Sequence, residues 1–281
     1  MCFRVRFQKG LLTMNVKNKV FVVTGAGSGM GRELAVQLVK KEARVAIVDI
    51  NEQGLHETET LTGESSVSKH LVNIADRARV EKLPEAIMEC HGTVDGLINN
   101  AGIIQPFVDI NNLDYGTIER IFSVNFYGTL YMTKSFLPVL LQRPEAHIAN
   151  ISSMGGFIPF PGQTFYGASK AAVKLFTEGL YAELKGSRVG VTIIHPGAVN
   201  TNIMSNSGVA SLNTGSESEK DAPAIKPLAA NKAAAIMIRA IEKNKYRVMV
   251  GRDAALLDIL YRLNPKMAVN IIVRKMGGMQ H

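Results

Sequence analysis

The stretch Thr24-Gly25-Ala26-Gly27-Ser28-Gly29-Met30-Gly31 closes a short apolar, β-branched run at residues 20–24 and leads into residues 32–42. There Leu34, Ala35, Leu38 and Val39 recur at helical spacing, and a second apolar run at residues 44–49 ends in Asp49. Strand, glycine turn, helix and strand within about 30 residues make a βαβ unit, and such units build parallel sheets. Glycine permits the tight turn and brings backbone close to a bound group. The exposed N–H groups and the positive end of the following helix then favour an anion. The spacing G-x-G-x-x-G is not met, because Met30 and Arg32 fall at its third glycine in the two possible registers. G-x-x-x-G-x-G through Gly25, Gly29 and Gly31 does fit. Its place between strand and helix points to a dinucleotide pyrophosphate. Asp49, 18 residues after Gly31, can accept from the adenosine ribose hydroxyls and would repel a 2′-phosphate. Neither Ile50, Asn51 nor Ser28 offers that phosphate a cation. NAD is therefore expected rather than NADP.

The alternation continues along the chain. Residues 69–72, 96–99, 147–152, 190–194 and 247–250 read as further strands, and residues 77–90, 117–140, 166–184 and 226–243 as helices between them. Apolar strand runs imply a sheet covered on both faces. The fold class is α/β: a single doubly wound parallel sheet with helices on both faces, spanning residues 15–250 and without repeats. Within it, residues 204–220 are rich in Ser, Gly, Asn and Glu and have little to bury. They read as a mobile lid, bounded at about residues 203–228.

Residues 251–281 form a C-terminal extension with Leu256, Leu257, Ile259, Leu260, Leu263, Met267, Val269, Ile271, Ile272 and Val273 beside Arg252, Arg262, Lys266, Arg274 and Lys275. Amphipathic helices broken near Pro265 are expected. Core packing or a subunit interface is the first reading of that tail, with membrane-surface contact as the alternative. At the other end, residues 1–14 are an N-terminal extension. Met14 directly precedes the run-in to the first strand, so the first 13 residues are expected to be a dispensable upstream start.

At 281 residues the chain can bury a substantial core. Its 46% apolar and 20% charged residues are ordinary for a globular protein. Cys2 and Cys90 match no metal spacing and no disulfide framework, so no metal is expected and a reducing, cytoplasmic setting fits. No apolar run approaches the roughly 20 residues that span a bilayer, and the start lacks the features of a signal peptide. The net charge of +8 favours polyanions, but the basic residues are scattered without an aromatic platform. A nucleic-acid partner is not expected.

Tyr166 and Lys170 are spaced i, i+4 at the start of a helix and share one face. A free tyrosine has a pKa of about 10, and a neighbouring ammonium favours the phenolate and makes it a usable base. Isolated pairs of this kind are common by chance. Ser153 changes that, because it follows the fifth strand at the carboxyl edge where doubly wound sheets place ligands. Its hydroxyl can donate to a substrate oxygen. Ser152 is a rival on spacing alone. Asn125 interrupts the apolar residues Ile121, Phe122, Phe126 and Leu130. It is either a satisfied buried amide or the anchor of a water in a proton relay.

Taken together, these residues resemble the short-chain dehydrogenase/reductase family, over roughly residues 15–250. The motifs run in order: Thr24-Gly25, Gly29 and Gly31; Asn99-Asn100-Ala101-Gly102; Asn125; Ser153, Tyr166 and Lys170; Pro196-Gly197 and Thr201. The resemblance implies a Rossmann-type sheet of about seven parallel strands. It implies that Gly25, Ser28, Gly29, Met30 and Gly31 hold pyrophosphate, Asp49 and Ile50 the adenosine, and Asn73 and Ile74 the adenine, with Asn73 replacing a common acid. It places Asn99, Ala101 and Gly102 beside the cofactor ribose. Pro196, Gly197, Val199 and Thr201 would hold the nicotinamide carboxamide. Ser153 is preferred to Ser152 because it stands 13 residues before Tyr166, as the family spaces them. Lys170 would also bind the nicotinamide ribose, and Asn125 would be the relay asparagine.

The implied activity is hydride transfer between NAD(H) and a secondary alcohol or ketone. The implied assembly is a homodimer or homotetramer, built partly on residues 117–140 and 166–184. Phe157, Ile158, Pro159, Phe160 and Pro161 suggest a lipophilic alcohol or carbonyl substrate. A non-catalytic nucleotide-binding protein on the same fold is the alternative, but it has no need of an intact Ser153–Tyr166–Lys170 set.

Overall fold

The computed structural model describes residues 13–209 and 227–276. The N-terminal residues 1–12 and most of the expected lid, residues 210–226, lie outside the described residues, as do residues 277–281.

Seven parallel strands form the central sheet. In chain order they are β1 (Val20–Thr24), β2 (Arg44–Asp49), β3 (Val67–Leu71), β4 (Gly96–Asn99), β5 (Ala146–Ile151), β6 (Val189–Pro196) and, last in sequence, β9 (Arg247–Val250), in the spatial order β3-β2-β1-β4-β5-β6-β9. Every residue of β1, β4 and β5 is buried, so β1 reads as a continuous apolar run, while β5 buries His147 and Asn150 among its apolar residues. The chain runs outward from β1 through β2 to β3 and then returns to the other side of β1 as β4. A topological switch therefore lies between β1 and β4, the place where such sheets open a crevice at their carboxyl ends.

Helices cover both faces. On one, α1 (Gly29–Lys40) and α8 (Ala230–Glu242) pack Leu34, Leu38, Met237 and Ile241 against Phe21, Ile47 and Ile98. On the other, α3 (Arg77–His91) and α5 (Thr129–Leu141) set Ile87, Met132, Phe136 and Leu140 against Val22, Leu97 and Ile148. A small parallel pair, β7 (Val199–Asn200) with β8 (Leu228–Ala229), stands outside the main sheet.

Three elements differ from the periodicity. Helix α2 (Glu52–Thr62) gave no apolar signal, because it buries only Gly54, Leu55 and Thr58; its start is fixed instead by Asn51, whose side chain accepts from the Gly54 N–H at 2.9 Å. The helix expected over 117–140 is interrupted. After α4 (Tyr115–Phe122) the chain takes a π-helical stretch at Ser123–Gly128 before α5 begins. Such insertions frequently mark functional sites. The helix expected from residue 226 starts at Ala230.

Beyond β9 the chain forms a helical hairpin, α9 (Arg252–Leu263) and α10 (Pro265–Met276), broken at Pro265 as expected. Ala268 and Ile272 of α10 are buried with Ile158, and Phe157, Phe160, Leu257, Leu260 and Tyr261 pack around them. The tail is thus packed against the segment that follows β5. Among the described residues no helix is long and apolar enough to cross a membrane.

Candidate active site

An open cleft of about 860 Å³ lies at the switch point. The glycine loop contributes Gly25, Ser28, Gly29 and Met30, the end of β2 Asp49 and Ile50, the β3 exit Asn73 and Ile74, the β4 exit Ala101 and Gly102, and the β7 exit Thr201. Those eleven predicted positions converge.

The loop owes its shape to close backbone contacts. Gly25 has φ of +66°, and a Cβ there would lie 2.8 Å from the Ala101 Cα. Gly31, expected at the pyrophosphate, is buried under the loop, where a Cβ would come 2.0 Å from the Gly25 carbonyl oxygen. It lets α1 pack against the turn and does not line the cleft. Asp49 accepts from the Gly27 N–H through Oδ2 at 2.8 Å and from the Asn51 N–H through Oδ1 at 3.0 Å. A carboxylate has about four lone-pair positions, so half of its capacity still faces the cleft.

Asn99 departs from its expected place. Successive strand side chains alternate between faces, and Asn99 turns beneath the sheet, donating to Thr133 Oγ1 at 3.1 Å and Asn150 Oδ1 at 2.8 Å. Its neighbour Asn100 lines the cleft instead. Asn100 donates to the Thr24 carbonyl at 3.0 Å, while the Thr24 hydroxyl accepts from the N–H groups of Asn100 and Ala101, both at 3.0 Å. Pro196, Gly197 and Val199 also stand off the cleft. Pro196 ends β6, Gly197 packs against Asp253, and Val199 pairs with Leu228.

The reactive cluster adjoins the Gly102 end of the cleft. Helix α6 (Thr164–Glu183) carries Tyr166 in its first turn and Lys170 one turn later. Ser153 follows β5 in extended conformation, and its Oγ accepts from the Gly155 N–H at 3.1 Å. A Cβ built on Gly155 would lie 3.5 Å from both Ser153 Oγ and Tyr166 Cε1, so the two side chains meet over that glycine. Lys170 is buried and donates from Nζ to the Ile151 carbonyl at 3.1 Å. A Cβ on Gly102 would lie 2.9 Å from Nζ and 3.1 Å from Asn125 Oδ1, which puts the ammonium at the cleft wall.

The electrostatics correct one expectation. A neighbouring Lys170 ammonium is expected to lower the pKa of Tyr166, but burial dominates and pushes the phenol above its ordinary value, with the Ser153 hydroxyl opposing. Burial also pushes Lys170 down, to about 8. Desolvation disfavours the charged form of each group, yet at about 8 Lys170 still carries its extra proton at neutral pH.

Ser152 and Ser153 have separate tasks. Ser152 is buried and donates to the Lys170 carbonyl at 2.7 Å, bracing α6; Ser153 faces Tyr166. Asn125 is fully buried in the π-helical stretch. Its Oδ1 accepts from the Ile103 N–H at 2.8 Å, and its Nδ2 donates to the Ile103 carbonyl and to Ser169 Oγ, both at 2.9 Å. The side chain is a satisfied amide. Only the second lone pair of Oδ1 is left for the Gly102–Lys170 corner, so a relay water has little to hold it through this side chain.

Two functional positions had no sequence signal. Gln105 is buried, and its Oε1 accepts from the N–H groups of Phe165 and Tyr166 at 2.9 and 3.0 Å, capping α6 at the reactive residue. His195, at the end of β6, has Nδ1 3.0 Å from the Ser153 carbonyl oxygen. Since a carbonyl only accepts, Nδ1 carries the proton. Burial holds this histidine down, to about 4, and it stays neutral behind Ser153.

The arrangement is a doubly wound α/β sheet with Ser153, Tyr166 and Lys170 clustered beside an open cleft at its switch point. Residues 19–210 match the family model described as short chain dehydrogenase. The Mycobacterium tuberculosis protein SadH, named as an oxidoreductase, is 37% identical over 255 residues, which span 88% of this chain and 91% of that protein. Dehydrogenase/reductase SDR family member 7B of Mus musculus is 34% identical over 201 residues, 69% of this chain and 62% of that protein. Among solved structures, a short chain dehydrogenase/reductase from Burkholderia phymatum in complex with NAD superposes with a TM-score of 0.79 at 26% identity, over 90% of this chain and 96% of that one. A 3-ketoacyl-(acyl-carrier-protein) reductase from Brucella melitensis complexed with NADH gives 0.74 at 26% identity, over 84% and 99%. The chain belongs to the short-chain dehydrogenase family.

Proposed function

We propose that this protein interconverts a lipophilic secondary alcohol and its ketone with NAD(H), using Tyr166 as the proton-transfer group. The observation that carries the reading is the approach of the Ser153 and Tyr166 side chains over Gly155, with the Lys170 ammonium beside Gly102 at the cleft wall.

The cleft residues fit a dinucleotide. Gly25, Ser28 and Gly29 would hold the pyrophosphate at the start of α1. Asp49 would accept from the adenosine ribose with its remaining lone pairs. Arg32, the cation next to the loop, is turned away to the Gly27 carbonyl and to Glu57 Oε2 at 2.6 Å, and among the described residues no Lys or Arg lines the cleft beside Asp49 to welcome a 2′-phosphate. Solved relatives in complex with NAD, NADH or NADP support a nicotinamide cofactor, and the choice of NAD rests on Asp49 and the turned-away Arg32. Asn73 and Ile74 would flank the adenine, Ala101, Gly102 and Lys170 the nicotinamide ribose, and Thr201 the carboxamide. When bound, the nicotinamide ring accepts or returns the hydride.

In the oxidation direction Tyr166 takes the alcohol proton, and in reduction it returns it. Ser153 donates to the substrate oxygen and fixes its distance from Tyr166. Lys170 stabilises the phenolate once it forms and passes the proton towards the cleft. Asn125 holds Ile103 and Ser169, and so the wall on which Lys170 rests. Beyond Ser153, the partly buried Phe157 and Phe160 flank Ile158, which is buried against the C-terminal hairpin, and this apolar segment suits a lipophilic substrate. Helices α5 and α6 leave Leu141 and Leu175 48% and 70% exposed, and a homodimer or homotetramer would cover them. A cytoplasmic setting belongs to the same reading, on the sparse cysteine usage.

The test is NADH fluorescence with a panel of secondary alcohols and ketones, run in parallel with NADPH. Turnover that prefers NADH supports the reading. Cofactor binding with no turnover across the panel would point to a non-catalytic member of the family.

A further inference from the structure

The loop that carries Thr201 is gripped from outside the sheet. β6 ends at Pro196, and Gly197 and Ala198 turn the chain into β7 and on to Thr201. Asp253, in the first turn of α9, reaches back to this turn, and its Oδ2 accepts from the Ala198 N–H at 2.6 Å. The carboxylate is 8% exposed. Two glycines make room for it. A Cβ on Gly197 would lie 2.2 Å from both carboxylate oxygens, and one on Gly251, where φ is +114°, would lie 2.3 Å from Oδ1.

A buried carboxylate is costly unless hydrogen-bonded, and a charge-assisted bond to a backbone N–H is among the stronger ones available. The rest of the turn is tied in as well. The Gly197 N–H donates to the Val250 carbonyl at 2.8 Å, and the Ala198 carbonyl accepts from the Leu228 N–H at 2.9 Å. The far end of the loop meets the pyrophosphate turn, since a Cβ on Gly29 would lie 3.3 Å from the Thr201 Cβ. Helix α9 is itself fixed to the end of the sheet through Asp258, which accepts from Arg247 of β9 at 2.8 and 3.2 Å.

We infer that Asp253 is a positioning residue for the nicotinamide end of the cofactor site. It acts through Ala198 and touches neither cofactor nor substrate. The C-terminal hairpin is thereby part of the cofactor site's framework as well as the wall behind Ile158. The inference rests on the reading of this cleft as a nicotinamide site.

The experiment compares Asp253→Ala and Asp253→Asn with the wild type, titrating each with NADH and with ADP-ribose, which has the adenosine half but no nicotinamide. Asp253→Ala should weaken NADH binding about tenfold, the worth of one charge-assisted hydrogen bond, and leave ADP-ribose within about twofold. Asp253→Asn keeps an oxygen acceptor for Ala198, so it should recover part of the loss and carries the comparison if the alanine variant does not fold. Amide exchange in the cofactor-free protein should quicken at residues 198–201 in the variants while β6 is unchanged. Equal losses for both ligands, unchanged NADH affinity or unchanged exchange at 198–201 would overturn the inference. Failure of the wild type to bind either ligand would sink the cofactor reading instead, and the exchange data would still decide whether Asp253 holds the loop.

Discussion

Gln105 and Tyr166, 61 positions apart, are joined where the reactive helix begins: the Gln105 Oε1 accepts the Tyr166 N–H at 3.0 Å and the Phe165 N–H at 2.9 Å. The same side chain donates to the Gly162 carbonyl at 2.9 Å. A helix start leaves its first N–H groups without partners, and here a buried amide supplies one at the residue whose placement matters most. Replacing Gln105 by Ala leaves two N–H groups and a carbonyl unsatisfied. The expected cost is about 2–4 kcal/mol of stability, at roughly 1 kcal/mol or more per orphaned group. Urea unfolding measures it, and kcat should fall with little change in cofactor affinity.

The adjacent serines should separate cleanly. Ser153→Ala removes the hydroxyl that meets Tyr166, and kcat should drop by about 100-fold or more, the scale of losing one donor to a developing oxyanion. Ser152→Ala removes the bond to the Lys170 carbonyl, worth about 1 kcal/mol. It should lower the midpoint of urea unfolding and leave kcat within about fivefold, the factor matching that energy. Steady-state kinetics on both variants check the assignment.

Asp49 should govern cofactor choice. Asp49→Asn removes the charge that repels a 2′-phosphate while keeping an acceptor for the Gly27 N–H. The ratio of kcat/KM for NADPH over NADH should rise by about tenfold, the effect of relieving roughly 1.4 kcal/mol of repulsion. Raising ionic strength should shrink the difference between variant and wild type, since salt screens the partly exposed charge.

Buried histidines set the acid limit of stability. Burial holds His147 down to about 3 and His195 to about 4, against an ordinary 6.5. Both stay neutral in the folded protein while the unfolded chain takes up protons below 6.5. Their contribution is therefore complete above that pH and is lost as pH falls, towards 4 for His195 and towards 3 for His147. Each should cost about 1.4 kcal/mol per pH unit across the window. Urea unfolding at a series of pH values measures the slope, and His195→Gln should flatten it by one proton.

Much of this architecture was legible in the residues. The bounds of β1, β2, β4 and β9 coincide with the apolar runs, because a buried parallel strand has no polar face to blur its ends. The Ser153–Tyr166–Lys170 set and eleven cleft residues follow from motifs that lie in order along the chain. Helix α2 was not legible, since it buries so little. The π-helical stretch around Asn125 was hidden because one inserted residue barely disturbs a helical pattern. Asn99 was misplaced for want of the strand's two-residue alternation. The supports of the site, Gln105, His195 and Asp253, act across the fold, and no local spacing reports a partner 42 to 61 residues away.

Tyr166→Phe is the most direct test, because it removes one oxygen from the centre of the cluster and leaves the cleft lining untouched. NADH titration and substrate turnover should be measured on the same preparation. The predicted result is unchanged NADH affinity with turnover lost by at least about 100-fold, the lower range for removing a positioned acid–base group. A variant that binds NADH and retains most of the wild-type turnover would contradict the role given to Tyr166.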